Sequence, residues 1–484
     1  IMLFKMDGEK NRYKMIVVGT GLASTFFLMR SFKGDGSVLV IERGKRDTHS
    51  WRVANRRHMQ KHGVVSSVDY ESTFINLNRH KEWVYTPAFG GSSNCWWGHT
   101  PRFHPSDFKL NSLYGVGRDW PVSYDDLEKY YCEAERVMQV AGEMSDLFPR
   151  SQPFPLKPHT LNRVDQLMRK ANPSMYIPLP CARPSKELPH RHRCCASGVC
   201  YLCPVDAKFT VLNELAWIYE RDGIELMLES EALALDIEGG KAKGVVVRHG
   251  GEIKRIKGDI IVLGANAIFN PAILLRSGDR SPGLGEGLSE QLSIGCRVML
   301  DGVRNFQGST SHTAHGYMLY DGAHRKERGA VLIESSNIPL LRLEKGRYRE
   351  AANFKFIIED LPSPKNRIEV KGWEKPKLIF EGHSNYALSS LQYVKETAHR
   401  VFAPLPVERI KFSEKPLKTE SHILGTTPMG VDRDNSVVDP NLVHHRYRNV
   451  LVLGGSVFPT ITPSNPSLTI CALSLMAADR IGGV

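Results

Sequence analysis

Three short segments of the chain hold residues whose types and spacing can do chemistry. His422 stands in His422-Ile423-Leu424-Gly425-Thr426-Thr427-Pro428-Met429-Gly430, and Asn465 in Pro463-Ser464-Asn465-Pro466-Ser467. A neutral imidazole takes up a hydroxyl proton near pH 7, whereas an amide cannot act as a base but can hold an oxygen. Each also has an ordinary reading, as a satisfied loop histidine before a Gly-Thr turn and as a turn residue before a proline. The third segment, Arg193 to Pro204, packs Cys194, Cys195, Cys200 and Cys203 together. Thiolates this dense suit a metal centre, and the Cys-x-x-Cys-Pro ending matches the ferredoxin-type ligation of iron and sulfide. Structural zinc, or a disulfide with no metal, are the alternatives. Zinc is mute in electron transfer, so the choice decides where electrons could go.

The stretch that must position these groups is Met15 to Gly44. Met15 to Val18 form an apolar run ending on Gly19-Thr20-Gly21-Leu22-Ala23-Ser24, and Phe26, Phe27 and Met29 continue at helical spacing. Gly19 supplies a tight turn. Gly21 lets the backbone approach a pyrophosphate at the helix N-terminus, which Leu22 opens. Ser24 replaces the usual third Gly or Ala, a weaker match that is still small enough for close helix–strand packing. Val38 to Ile41 then deliver Glu42 about 20 residues after the glycines, where a carboxylate accepts a hydrogen bond from a ribose 2′-OH. That favours an adenine dinucleotide without a 2′-phosphate, and the Glu42-Arg43-Gly44 ending leans towards FAD. In Gly90-Gly91-Ser92-Ser93-Asn94-Cys95-Trp96-Trp97, small residues let backbone N–H groups face a phosphate or a flavin edge, or simply turn the chain into an aromatic core.

Around these motifs the pattern is mixed α/β. Residues 45 to 88 are polar and basic without clear periodicity. Ser123 can cap a helix over Tyr124 to Val140. Ile224 to Leu228, Gly244 to Arg248 and Asp259 to Ala265 read as a meander returning to the dinucleotide sheet. Phe354 to Ile358 and Arg367 to Val370 read as strands around Pro362-Ser363-Pro364, with a helix from Tyr386 to Phe402. Val450 to Leu453, the turn Gly454-Gly455-Ser456 and a helix from Ser467 to Ile481 close the chain. The expectation is a discontinuous Rossmann-like nucleotide domain over 1–110, 190–295 and 416–484. A substrate domain over 111–189 and 296–415, an antiparallel sheet with helices, is inserted into it. His312 and His315 could line a substrate pocket but are expected as surface or loop histidines.

Bulk properties narrow the function. The 484 residues exceed one average domain, and 41% hydrophobic with 24% charged residues is a globular composition. The net charge of +12 is spread along the sequence without the interleaved aromatics of a base-stacking surface, so it reads as a solvated surface or a face for an acidic partner rather than for nucleic acid. No stretch reaches the roughly 18 apolar residues of a membrane span. Ile1 to Met6 lack a signal-peptide core and cleavage site, so cytoplasmic synthesis is expected. The nine cysteines are an odd count, which argues against a secreted disulfide framework.

With these residues in view, the chain resembles the glucose-methanol-choline oxidoreductase family over nearly its full length. The resemblance is carried by the Gly19 turn, Glu42-Arg43-Gly44, Gly90-Gly91-Ser92-Ser93, Gly264-Ala265 and the tail from His422 to Ile481. It implies FAD as cofactor, held by Gly19, Gly21, Leu22, Ser24, Glu42, Arg43, Gly90, Gly91, Ser92, Asn94, Cys95, Ala265, Gly455, Ser456 and Pro466. It implies His422 as the catalytic base and Asn465 as its partner. Gly91 to Phe103 and Tyr114 to Pro121 look like the branch of pyranose oxidases and bacterial FAD-dependent sugar dehydrogenases. In pyranose oxidases a flavin-linked His falls where Cys95 stands here.

The segment from Cys194 to Cys203 is similar to one that bears a three-iron cluster in those dehydrogenases, but two residues, not three, separate Cys200 from Cys203. A 3Fe-4S cluster is favoured over 4Fe-4S, and the choice between Cys194 and Cys195 stays open. The resemblance thus implies oxidation of a sugar or glycoside hydroxyl, with electrons leaving through iron–sulfur to a cytochrome, a quinone or a small accessory subunit. Such a subunit, bearing its own export signal, would carry the chain to the periplasm. The competing readings are an oxidase that uses O2 directly and a non-catalytic flavoprotein subunit.

Overall fold

Tyr13–Val18 is buried along nearly its whole length, and a strand with no solvent face belongs at the centre of a parallel sheet. In the computed structural model, which describes residues 12–34, 36–59, 62–78 and 80–482, it takes that place. The stretch from Ile1 to Met6 lies outside the described residues. The parallel order runs Ile224–Met227, Val38–Ile41, Tyr13–Val18, Glu252–Leu263 and Val450–Val452. Glu252–Leu263 does double duty, because its first half pairs antiparallel with Lys241–His249, which pairs in turn with Ser230–Glu238. The meander expected from the sequence is there in its second and third members, but Ile224–Met227 is instead a parallel edge strand beside Val38–Ile41, and Ser230–Glu238 takes its place.

Helix Leu22–Ser31 follows the first strand and packs against the last helix, Ser467–Arg480. Ser123 and Asp126 exchange capping-box bonds at the start of helix Tyr124–Met138, worth about 1 kcal/mol. That helix buries Leu127, Tyr131 and Ala134 in the dinucleotide-side core and touches Ser467–Arg480. A domain boundary at residue 111 therefore cuts through packing that belongs to the larger core.

The second sheet is antiparallel, in the order Val407–Phe412, Leu292–Leu300, Ala351–Ile358, Val331–Ser336, Ala314–Leu319, Tyr176–Pro178. Its strand Leu292–Leu300 crosses the boundary expected at 295. Helix Asn385–Val401, capped by Ser384, covers one face, where Ile333, Phe354 and Phe356 meet Ala387 and Val394. By the two-residue period of a strand the alternate residues face the other way, and there His315, Glu334 and Lys355 lie in register across three neighbouring strands.

Phe354 to Ile358 and Arg367 to Val370 are strands, as expected, but they belong to different sheets, since Leu292–Leu300 and Val331–Ser336 already occupy both edges of Ala351–Ile358. Arg367–Glu369 instead pairs with Lys377–Ile379 in a small sheet with Ile75–Asn76. The stretch from 45 to 88 contains the helix His49–Met59, whose polarity reflects a mostly solvent-facing position. Among the described residues no helix is long and apolar enough to cross a membrane.

Candidate active site

A cavity of about 520 Å³ runs from Glu42, Arg43, Ser230 and Ala232 on the dinucleotide sheet to Glu334, Lys355, His422 and Asn465 under the second sheet. The glycine turns form its floor. Gly19 has φ of 93°, and a Cβ there would stand 2.6 Å from the Gly264 carbonyl oxygen. At Gly91, with φ of 55°, a Cβ would meet Gly21 Cα at 2.9 Å, so the two turns close on each other at the start of helix Leu22–Ser31. This bare backbone at a helix N-terminus is what a pyrophosphate needs. Gly91→Ala adds left-handed backbone strain of about 1–2 kcal/mol and wedges the turns apart. We expect roughly tenfold weaker dinucleotide retention, read from the flavin-to-protein absorbance ratio.

Glu42 is buried and accepts hydrogen bonds from Thr20 N (3.1 Å), Thr20 Oγ1 (2.7 Å) and Gly44 N (2.8 Å). It holds the glycine turn as well as lining the cavity, and burial pushes its carboxyl pKa up. Arg43 lies over the Phe269 ring at 4.0 Å and pairs with Glu231. Leu22, Ser92, Cys95, Ala265, Gly455 and Pro466 also face the cavity. Four of the expected cofactor contacts stand behind the wall instead. Ser24 packs its hydroxyl against Gly264 and the Val18 carbonyl, as its small size allows. Gly90 donates its N–H to Thr20 Oγ1, Asn94 donates its amide to the Phe89 carbonyl, and Ser456 accepts from Asn270. These four brace the segments that line the cavity.

At the other end, Glu290 pins the segment that carries His422. One carboxylate oxygen accepts the backbone N–H of Glu420 (2.7 Å) and of His422 (2.8 Å) and the Thr419 hydroxyl (3.0 Å), while the other pairs with buried Lys81. The His422 ring bonds through Nδ1 to Gln291 Oε1 at 3.0 Å. Burial pushes its pKa below the ordinary histidine value, against the pull of Glu420 and Glu290, so the imidazole is neutral near pH 7. Asn465 is 8% exposed, and its Oδ1 has no partner within the protein although its side chain lines the cavity. A buried polar atom left open is a receptor for a ligand group.

Opposite them lies the polar row. Lys355 Nζ sits 3.1 Å from Glu334 and 2.7 Å from Glu420, and His99 Nδ1 and His315 Nε2 reach Glu334 at 2.9 and 3.3 Å. Burial alone would raise the Glu334 pKa, but Lys355 and the histidines hold it well below the carboxylate range. Burial brings His99 down to about 4 and His312 well below normal. His315 is thus a core strand residue, against the expectation of a surface or loop position, whereas His312 is a loop residue and lines the cavity wall. His99, His315 and Glu334 also have the composition of a metal triad. The Lys355 ammonium already fills the cationic role, however, and the outer nitrogens His99 Nε2 and His315 Nδ1 have no acceptor behind them to orient the rings. The row is built for hydrogen bonding.

The cysteine loop abuts the cavity wall. Arg52 donates to the carbonyls of Asn94 and Tyr201 and to Cys95 Sγ, and Trp97 lies 6.5 Å from the Tyr201 ring. Cys194 Sγ contacts Thr310 Oγ1, Cys200 Sγ contacts Ser311 Oγ, and Cys203 Sγ accepts from Ala207 N. Cys195 is exposed. Two buried cations face this loop. Arg183 bonds to Thr310 Oγ1 and to the carbonyls of Trp97 and His312; burial works against its charge, while Cys181, Cys200, Cys194 and Glu334 favour it and raise its pKa. Lys208 bonds to the carbonyls of Asn94 and Trp96; burial and Arg52 bring it down to about 8, while Cys95, Cys200 and Cys203 pull it up. Among the described residues neither has a carboxylate in ion-pair contact.

Sequence reasoning missed Glu334, Lys355, Glu420, His99, Gln291, Arg183 and Lys208. A trace of the row was visible in Phe354-Lys355-Phe356, where a lysine interrupts an apolar strand.

The chain is 25% identical to the fructose dehydrogenase large subunit of Gluconobacter japonicus, over 98% of this chain and 99% of that one. It is 25% identical to 6'''-hydroxyparomomycin C oxidase of Streptomyces lividus, over 98% and 93%. With pyranose 2-oxidase of Lyophyllum shimeji it shares 23% identity over 85% and 73%. Among solved structures, pyridoxine 4-oxidase from Mesorbium loti superposes with a TM-score of 0.67 at 19% identity, covering 96% of this chain and 98% of that one. An Aspergillus oryzae RIB40 formate oxidase studied for its FAD modification superposes with a TM-score of 0.64 at 15% identity, covering 98% and 99%. At such identities the likeness is one of fold. Two sequence models, each described as GMC oxidoreductase, match residues 13–293 and 376–474, so that the chain belongs to the GMC oxidoreductase family and is an FAD-dependent oxidoreductase acting on CH-OH groups.

Proposed function

We propose that the protein is a dehydrogenase of a sugar, glycoside or related polyol, and that its electrons leave through an iron–sulfur cluster to an external acceptor. The observation that carries the reaction is the convergence of neutral His422 and the open Asn465 Oδ1 on the cavity that the glycine turns enter. His422 takes the hydroxyl proton, and Asn465 orients the substrate oxygen through its amide. FAD, when bound, accepts the hydrogen of the carbinol carbon as hydride.

The sugar assignment rests on the polar row and on the relatives. Lys355, Glu334, Glu420 and His99 offer donors and acceptors side by side, the pattern that matches vicinal hydroxyls. Fructose dehydrogenase and pyranose 2-oxidase are named for sugars. Lys355→Met is expected to raise KM for a hexose about tenfold, with a smaller effect on a monohydric alcohol, which has no second hydroxyl to lose. Steady-state kinetics with the two substrates checks this.

The cluster assignment rests on charge. A buried cation needs an anionic partner, and the negative groups that act on Arg183 and Lys208 are chiefly sulfurs, with Glu334 the last of those acting on Arg183. Cys194, Cys200 and Cys203 are the three thiolates we assign to a cluster of the 3Fe-4S type, and Cys195 is left aside because it is exposed. Such a cluster supplies one-electron transfer. The relative from Gluconobacter japonicus is a large subunit, and a small partner subunit, a cytochrome or a quinone is the proposed acceptor.

The test is an absorbance spectrum and low-temperature EPR of protein purified without air, before and after adding a panel of sugars, glycosides and polyols. Flavin bands with a broad iron–sulfur shoulder and an EPR signal that changes with one substrate support the proposal. Flavin bands alone, bleached by substrate and restored by air with peroxide release, replace it with an oxygen-using oxidase.

A further inference from the structure

Gln291 sits at the entry of strand Leu292–Leu300, 2% exposed, between the two groups proposed to act on substrate. Its amide nitrogen lies 2.9 Å from the Thr462 carbonyl oxygen and 3.2 Å from that of Ser464, the residue before Asn465. Carbonyl oxygens only accept, so both contacts require the NH2 end of the amide, and its orientation is fixed by chemistry rather than by choice. The oxygen end is therefore the one that meets His422 Nδ1 at 3.0 Å. An amide oxygen also only accepts, so Nδ1 must carry the proton. In a neutral imidazole the other nitrogen is then bare.

We infer that Gln291 is the positioning residue of the active site, holding His422 in the tautomer whose Nε2 is free to take the substrate proton while tying the Thr462–Ser464 backbone that presents Asn465. The inference rests on the assignment of His422 as base. Glu290 does the complementary work, since it holds the backbone N–H of His422 and leaves the ring to its neighbour. One Gln side chain thus couples the base to the oxygen-holding amide, and neither can shift without the other.

Two substitutions and one measurement on the unaltered enzyme test this. Gln291→Met keeps the length and removes all three hydrogen bonds. We expect kcat to fall 10- to 100-fold, as when a group that orients a ring is lost, with KM for the sugar within about twofold and the FAD content unchanged. Gln291→Glu places a carboxylate against Nδ1–H, and an adjacent negative charge favours the imidazolium. The acid limb of kcat/KM should move to higher pH by about one unit or more. In the FAD-loaded wild-type protein, ¹⁵N spectra of labelled histidine, assigned by difference from His422→Asn, should show a protonated Nδ1 and an unprotonated Nε2 at His422.

The inference is overturned if Gln291→Met keeps wild-type kcat, if its activity falls only in proportion to lost FAD, or if the spectra show Nε2 protonated. If His422→Ala itself retains full turnover, the assignment of the base fails first. If His422→Ala is inactive and Gln291→Met is not impaired, only the role of Gln291 falls.

Discussion

His422→Ala is expected to lower kcat by about 10²- to 10⁴-fold, the range spanned by a positioned general base, while the protein still binds FAD. The separation follows from the geometry. His422 is held by Glu290 and Gln291 at the far end of the cavity from Glu42, and the glycine turns at Gly19 and Gly91 make no hydrogen bond to it. Rapid mixing with sugar should show the flavin reduced slowly in the variant rather than left unbound. The pH dependence has a definite sign. In the proposed role the reactive form of His422 is the neutral imidazole, and burial lowers its pKa. Activity is therefore fully present above that lowered value and is lost as pH falls through it, so wild-type kcat/KM should stay level further into acid than an ordinary histidine with a pKa of about 6.5 would allow. That acid limb should disappear in the variant. Unchanged turnover in His422→Ala would mean that another group takes the hydroxyl proton and that His422 is not the base.

The parts of this site that the sequence disclosed are those written in local pattern. A strand that ends on Gly19-Thr20-Gly21 and a second that ends on Glu42 fix the dinucleotide turn because the backbone conformation at φ of 93° tolerates little but glycine. Residues at i and i+3 that cap a helix, such as Ser123 with Asp126, are equally local. The polar row is not. His315, Glu334 and Lys355 meet only because three antiparallel strands fall into one register, and register is set by pairings that no window of sequence contains. For the same reason Gln291, 131 residues before His422 in the chain, gave no signal. The two strands expected around Pro362 to Pro364 form but lie in different sheets, since local strand propensity says nothing about which edges are already taken.

Local pattern also named the cysteines without saying which of them act together, and that question has a sharp experimental form. If the proposed cluster is bound, Cys200→Ser is expected to abolish its EPR signal and to cut turnover with a one-electron acceptor at least tenfold, while sugar still reduces the flavin in a single turnover. Cys195→Ser should change neither, because its thiol faces solvent whereas Cys200 is buried beside Ser311 and is felt by both Arg183 and Lys208. A stability cost should accompany the first variant only. With a sulfur ligand gone the two cations lose anionic charge in a buried site, and breaking such a pairing typically costs about 3–5 kcal/mol, a drop that thermal unfolding would register. If the two serine variants are indistinguishable in metal content, acceptor turnover and melting temperature, the cysteine loop is a structural feature. Arg183 and Lys208 would then be satisfied by the carbonyls of Trp97, His312, Asn94 and Trp96 alone, and the electrons would have to leave from the flavin itself.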